Sequence, residues 1–152
     1  MRVWRIARPV WPPLAGEGAR RRGGRWNSPG NPVVYASERL SLAVLEVLVH
    51  VEPDTVPPDL MSYEIDVPDN LRTTTIPNGV LPPEWQDKPS HPASRALGDA
   101  WLARGDTVAL LVPSAIVPGE TNVLINPRHQ DAGAITVVRV LPFRFDLRLV
   151  RE

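Results

Sequence analysis

Residues 32–50 read PVVYASERLSLAVLEVLVH, and this stretch decides the fold. Pro32-Val33-Val34-Tyr35-Ala36 is β-branched and aromatic, as a buried strand requires, and Ser37 stands where a helix N-cap is expected. Residues 38–50 then form the longest helical candidate in the chain, closed by Pro53. A strand that runs straight into a helix, in a chain of otherwise short elements, points to a mixed α+β fold. One residue of the helix is anomalous. Positions 42–49 are apolar except Glu46, whose neighbours at i−4, i−3 and i+3 are Leu42, Ala43 and Val49. A helix apolar all round is a buried helix, so this carboxylate is expected to face the interior or a cleft. Two roles are open to it: half of an internal ion pair, or a catalytic carboxylate at a pocket wall.

Outward from this stretch the elements are short. Residues 3–7 alternate as a first strand, 8–24 read as loop, and 24–27 as a brief extended piece before the turn Ser28-Pro29-Gly30-Asn31. Downstream, 60–67 is a strand and 69–91 is mostly irregular. A second helix starts near Ser90 or Pro92 and runs to Arg104, with Gly105 in the C′ position. Strands follow at 107–112, 122–126 and 135–141, and 143–149 alternates as an edge strand would. The sum is about seven short strands and two helices: α+β and sheet-dominated. Eighteen prolines, spread from Pro9 to Pro142, exclude a helical bundle. Residues 1–152 are expected to form a single domain, since neither a repeat nor a linker divides the hydrophobic residues.

Composition narrows the function. Seventeen basic and 17 acidic residues cancel, so no global field marks a binder of nucleic acid or of membrane surfaces. The basic set is sixteen Arg and one Lys, Lys88. Cysteine is absent, which excludes thiolate nucleophiles, disulfides and Cys-based metal sites. No apolar run approaches the ~20 residues that cross a bilayer. Met1 to Arg8 lacks the apolar core of a signal peptide, and a cytoplasmic location is expected.

Four further features bear on chemistry. Arg20-Arg21-Arg22-Gly23-Gly24-Arg25 offers forked donors and a free backbone, suited to phosphate or simply to a solvated basic turn. Arg25 differs from the other three by standing beside Trp26 at the start of an extended piece. Tyr35 sits just before the Glu46 helix, either as core with its hydroxyl at the surface or as a platform for a planar ring. Ser114 follows a strand and a proline, without the glycine elbow of a hydrolase nucleophile. His50, His91 and His129 lack metal-ligand spacing, so no metal is expected.

Taken together, several segments resemble the RES-domain family, named for its Arg, Glu and Ser. They are Arg5-Ile6, Gly24-Arg25-Trp26-Asn27 with Gly30, Pro32 to Ser37, Leu42 to Glu46 and Val49-His50. The similarity continues through Leu81-Pro82, Trp85, Leu97-Gly98-Asp99, Trp101-Leu102, Val112 to Ala115, Asn122 to Pro127 with His129, and Phe143 to Leu149. It covers the whole chain in order. The resemblance implies a fold similar to ADP-ribosyltransferase toxins and the toxin half of a bacterial toxin–antitoxin pair. It implies consumption of NAD, by hydrolysis, by phosphorolysis or by transfer of ADP-ribose to a protein. NAD would be the substrate, with no resident cofactor. The partner would be an antitoxin with a helix-turn-helix-like domain, which alone would touch DNA, and no membrane is involved. Arg25, Tyr35, Glu46 and Ser114 fall on the family's functional positions. Glu46, Arg25 and Tyr35 are then the catalytic set, and Arg25, Tyr35, Ser114, Arg5 and Asn27 the substrate-binding set.

The chemistry of these residue types agrees with that assignment. Breaking the N-glycosidic bond of NAD develops positive charge at the anomeric carbon, as in glycoside cleavage. A carboxylate near that carbon stabilises the transition state more than the ground state, which is what accelerates a step. Glu46 suits that role, Arg25 the phosphates or ribose, Tyr35 a stack on nicotinamide, and Ser114 a hydrogen bond to ribose or amide. The competing reading, a noncatalytic nucleotide- or RNA-binding module built on Arg20 to Arg25, predicts steeply salt-dependent binding.

Overall fold

A computed structural model describes residues 1–88 and 91–150. Its strands are β1 (Arg2–Ala7), β2 (Val34–Ser37), β3 (Met61–Asp66), β4 (Thr73–Thr75), β5 (Ala109–Pro113), β6 (Thr121–Ile125) and β7 (Thr136–Pro142). All join one sheet in the order β4-β5-β6-β2-β1-β3-β7. Every adjacent pair is antiparallel except β4 and β5. The helices are α1 (Glu17–Arg22), α2 (Leu40–Leu48) and α3 (Pro92–Arg104). The α+β, sheet-dominated arrangement read from the sequence is the one found.

Alternation along the strands sorts the core into two faces. Val34 and Ala36 of β2 pack with Val3, Ile65, Val123 and Ile125. The intervening residues of β2 and β6 point the other way, where Leu110 and Leu124 meet Trp26, Trp85 and Trp101 beneath α3. On that face α2 sets Ala43 against Ile6, Leu60 and Phe145. Strand β2 runs under α2, which places its last residue, Ser37, near Glu46.

The structure corrects four expectations and adds a short strand to the stretch read as mostly irregular. Ser37 is the last residue of β2, not a cap; the helix starts after Arg39, whose backbone is extended. Helix α2 is not buried all round: only Leu42 and Ala43 are, and Leu45 and Val49 are exposed. It is nine residues long and packs by one face, with Val44, Val47 and Leu48 half-buried against the Ile6, Leu60 and Phe145 cluster and Leu40 and Leu45 left to solvent. The stretch taken as loop contains α1, too short to show a period, with Glu17 in its first turn and Arg20, Arg21 and Arg22 in its last. Residues 143–149 are not a strand. Phe143 turns in with Phe145, edge to face at 5.1 Å, and Asp146 caps a 3-10 turn over Leu147–Leu149. The irregular stretch 69–91 holds β4, whose three residues are all threonine. Helix α3 ends at Gly105, with φ of 63°, as expected; Ser90, the earlier of its two expected starts, lies outside the described residues.

Candidate active site

Glu46 lies in the last turn of α2, where the helix dipole disfavours a carboxylate. Two side chains from the sheet hold it there. Ser114, just past β5, donates its hydroxyl to Oε1 at 2.9 Å, and the Asn122 amide of β6 donates to the same oxygen. The amide is itself oriented. Ser37 and Asn122 are register partners in the β2–β6 ladder, and the Ser37 hydroxyl donates to Asn122 Oδ1 at 2.6 Å. That bond assigns the oxygen to Ser37 and leaves the NH2 for Glu46. Glu46 is half-buried, and among the described residues it has no ion-pair partner within 4 Å and no donor on Oε2. Of the two roles open to it, the internal ion pair is therefore not built among the described residues.

Arg25 lies close enough to this carboxylate to feel its charge. Burial lowers the basicity of its guanidinium, and the negative charge of Glu46 partly restores it. Nη1 donates to the carbonyls of Trp85 and Lys88 at 2.9 and 2.8 Å, and the guanidinium carbon lies 5.4 Å over the Trp85 ring. No other Arg25 nitrogen has a hydrogen bond among the described residues, so the opposite edge of the fork is available to an anion.

Tyr35 supports the turn that carries Arg25. Its hydroxyl donates to Asn27 Oδ1 at 2.7 Å and accepts from the Trp26 amide at 3.0 Å, so it is not at the surface. Burial pushes the phenol far above its usual value, partly offset by the Trp26 bond, and it stays neutral. Asn27 is fully buried, and its NH2 reaches the carbonyls of Ala19, Ser28 and Asn31. Arg5 stands opposite Tyr63 in the β1–β3 ladder. Strands β1 and β2 are in register only at Trp4 and Ser37, and Arg5 Nη1 reaches the Tyr35 carbonyl at 3.0 Å. Its Nε is buried without a partner, and burial lowers its basicity.

Arg20 and Arg21 are not part of a phosphate loop. Both are bound to Glu17, at 2.6 and 2.9 Å, and Arg21 lies over Trp11. A polar cleft of about 400 Å³, lined by Asn31, Asp99, Asn126, Arg128 and His129 among others, sits at the far end of β6 from Asn122 and holds none of the Glu46 group. Among the described residues no three of His, Asp and Glu gather as a metal site would require.

Two members of the group, Ser37 and Asn122, were not singled out from sequence. The available signal was an Asn inside a strand, a position where its β-propensity is poor. Only the ladder register shows that Ser37 stands opposite it.

Comparison with known proteins places the chain. The RES domain family matches residues 2–146. The Prs ADP-ribosylating toxin of Sphingobium sp. (strain YBL2) is 40% identical over 141 residues, 91% of this chain and 88% of that one. Toxin Res of Photorhabdus laumondii is 38% identical over 154 residues, covering 99% and 98% of the two chains. A chain in the crystal structure of the M. tuberculosis MbcT–MbcA toxin–antitoxin complex shares the fold, with a TM-score of 0.76 at 22% identity over 93% of this chain and 83% of that one. The protein belongs to the RES-domain family, and its architecture accords with the ADP-ribosyltransferase-like fold that the resemblance implied.

Proposed function

We propose that this protein is the toxin of a toxin–antitoxin pair and acts by cleaving the nicotinamide–ribose bond of NAD. One observation carries the reading. Glu46 is a half-buried carboxylate held by two neutral donors on one oxygen; among the described residues its other oxygen has no donor, and the charge of the Arg25 guanidinium, with one edge unbonded there, is felt nearby. Neutral donors fix the carboxylate without cancelling its charge, so the charge remains for a cationic transition state. Oε2 of Glu46 stabilises the oxocarbenium-like ribose or orients the attacking water or phosphate. Arg25 takes the pyrophosphate on its free edge, and Arg5, its Nε buried on the Tyr63 face of the sheet, holds the Tyr35 carbonyl and so braces the strand beneath the site. The Tyr35 ring stacks on nicotinamide while its hydroxyl holds the Arg25 turn. Cleavage needs no resident cofactor. The partner is an antitoxin with a helix-turn-helix-like domain, and the work is done in the cytoplasm.

Transfer of ADP-ribose to a protein is the second reading, favoured by the name of the 40% identical relative. The binding-module reading is disfavoured, because Glu17 already neutralises two of its arginines. Incubating the pure protein with NAD, with and without phosphate, and identifying products by mass spectrometry tests these. Free nicotinamide with ADP-ribose, or with its 1-phosphate, is expected. Nicotinamide release only alongside a protein gaining ADP-ribose selects the second reading. Intact NAD together with salt-sensitive RNA binding overturns both.

A further inference from the structure

Arg25 lies on a turn with almost no regular structure, bridged to itself only between Gly24 and Asn27. Its placement comes from one stripe of α3. Ser94, fully buried, has its hydroxyl 2.9 Å from the Arg25 carbonyl and 3.0 Å from that of His91. Arg95 reaches the Gly24 carbonyl at 3.4 Å. Gly98 lets the chain pass so closely that a Cβ there would stand 1.7 Å from the Trp26 carbonyl oxygen. Asp99 gathers the far side: Oδ1 accepts from the Ser28 amide at 2.8 Å and the Asn31 side chain at 3.1 Å, and Oδ2 accepts from the Ser28 hydroxyl. Positions 94, 95, 98 and 99 share a helix face, and together they touch residues 24, 25, 26, 28 and 31.

We propose that Asp99 is a positioning residue for Arg25, anchoring the turn so that the free edge of the guanidinium meets the pyrophosphate of the substrate; this rests on the NAD reading above. A carboxylate is the acceptor that can serve three donors at once, and it gathers both ends of Ser28–Asn31 onto a rigid helix. Burial alone would raise its pKa, yet the Ser28 and Asn31 bonds leave it below the ordinary value, so it is charged at neutral pH. Small misplacements of a binding group are expensive in catalysis, and Asp99 ties to the helix the same Ser28–Asn31 segment that Asn27 gathers from within.

A double-mutant cycle between Asp99→Asn and Arg25→Ala, read by steady-state NAD cleavage, tests the role. In the wild-type background Asp99→Asn is expected to raise KM on the order of tenfold, the scale of one charge-assisted hydrogen bond, with kcat within about twofold. In the Arg25→Ala background it should change neither. Ser28→Ala, which removes one donor only, provides a milder variant with a smaller KM effect of the same sign. Amide exchange, read by mass spectrometry without any NAD, should quicken over 24–31 in Asp99→Asn and not in β1 or β3. Equal KM effects of Asp99→Asn with and without Arg25, or unchanged exchange over 24–31, would overturn the proposal while leaving NAD cleavage intact. A wild-type protein that leaves NAD whole overturns the NAD reading itself, and the positioning role with it.

Discussion

The Ser114 hydroxyl donates its only proton to Glu46 Oε1, while its oxygen accepts from the amides of Ile116 and Val117, each 3.1 Å away. A serine bonded on every side, and 1% exposed, holds a carboxylate in place and is not a nucleophile awaiting a base. Ser114→Ala should therefore lower NAD turnover about tenfold, since one hydrogen bond to a charged group is lost. No covalent intermediate should be involved. A Ser114-linked ADP-ribose adduct caught by mass spectrometry during turnover would refute this role.

The arginines separate by what they touch. Arg25 has one edge on two carbonyls and no hydrogen bond on the other among the described residues, whereas Arg21 is tied to Glu17 and lies over Trp11. Arg25→Ala should raise KM for NAD strongly, by roughly 10- to 100-fold for a charge-assisted contact of about 1.5–3 kcal/mol. Arg21→Ala should leave KM within about twofold. Equal losses from the two substitutions would mean that the basic residues act as a diffuse patch.

Much of this was legible in the sequence, and the reasons differ by element. The second helix was legible because Gly105 supplies an unmistakable end and Pro92 a start. Glu46 stood out because a lone charge in an apolar run is a local contradiction. What could not be read was long-range. Ser37 looked like a cap because Ser before a helix usually is one, but the register with Asn122 is set by the pairing of strands 85 positions apart. The basic run looked like a loop because the local ion pairs that make it a helix involve Glu17, outside the run itself. The strand reading of 143–149 failed because alternation of Phe143 and Phe145 serves equally to bury both rings under α2 without a ladder partner.

The α1 ion pairs give a pH signature of their own. Hydrogen bonds from Arg20 and then Arg21 pull the Glu17 carboxyl down to about 2. A depressed folded-state value means the contribution is present above the unfolded value of roughly 4.3 and is lost as pH falls towards 2. The pair is solvent-exposed, so the effect is small and weakens in salt. Melting curves of the wild type and Glu17→Gln, taken from pH 6 to pH 2 in low salt, should therefore converge as pH falls below about 4. A constant gap across that range would show that Glu17 acts through packing and not through charge.

Glu46→Gln is the substitution on which the catalytic reading turns. Glutamine can put its Oε1 where the carboxylate has Oε1, and there accept from both Ser114 and Asn122 as before. Its NH2 then replaces Oε2, which has no donor among the described residues. Shape and hydrogen bonds survive, and only the charge is removed. Because no ion-pair partner among the described residues is stranded, the loss of about 3–5 kcal/mol that follows breaking a buried pair should not occur. The melting temperature should stay within about 2 °C, and a small rise is consistent with relieving a carboxylate at a helix C-terminus. Turnover should fall on the order of 100-fold or more, the scale of losing one preorganised electrostatic stabiliser, while KM for NAD changes little. Rate and melting curve together discriminate. A Glu46→Gln protein that is destabilised, and whose folded fraction still cleaves NAD at the wild-type rate, would assign Glu46 to the scaffold and remove it from the chemistry.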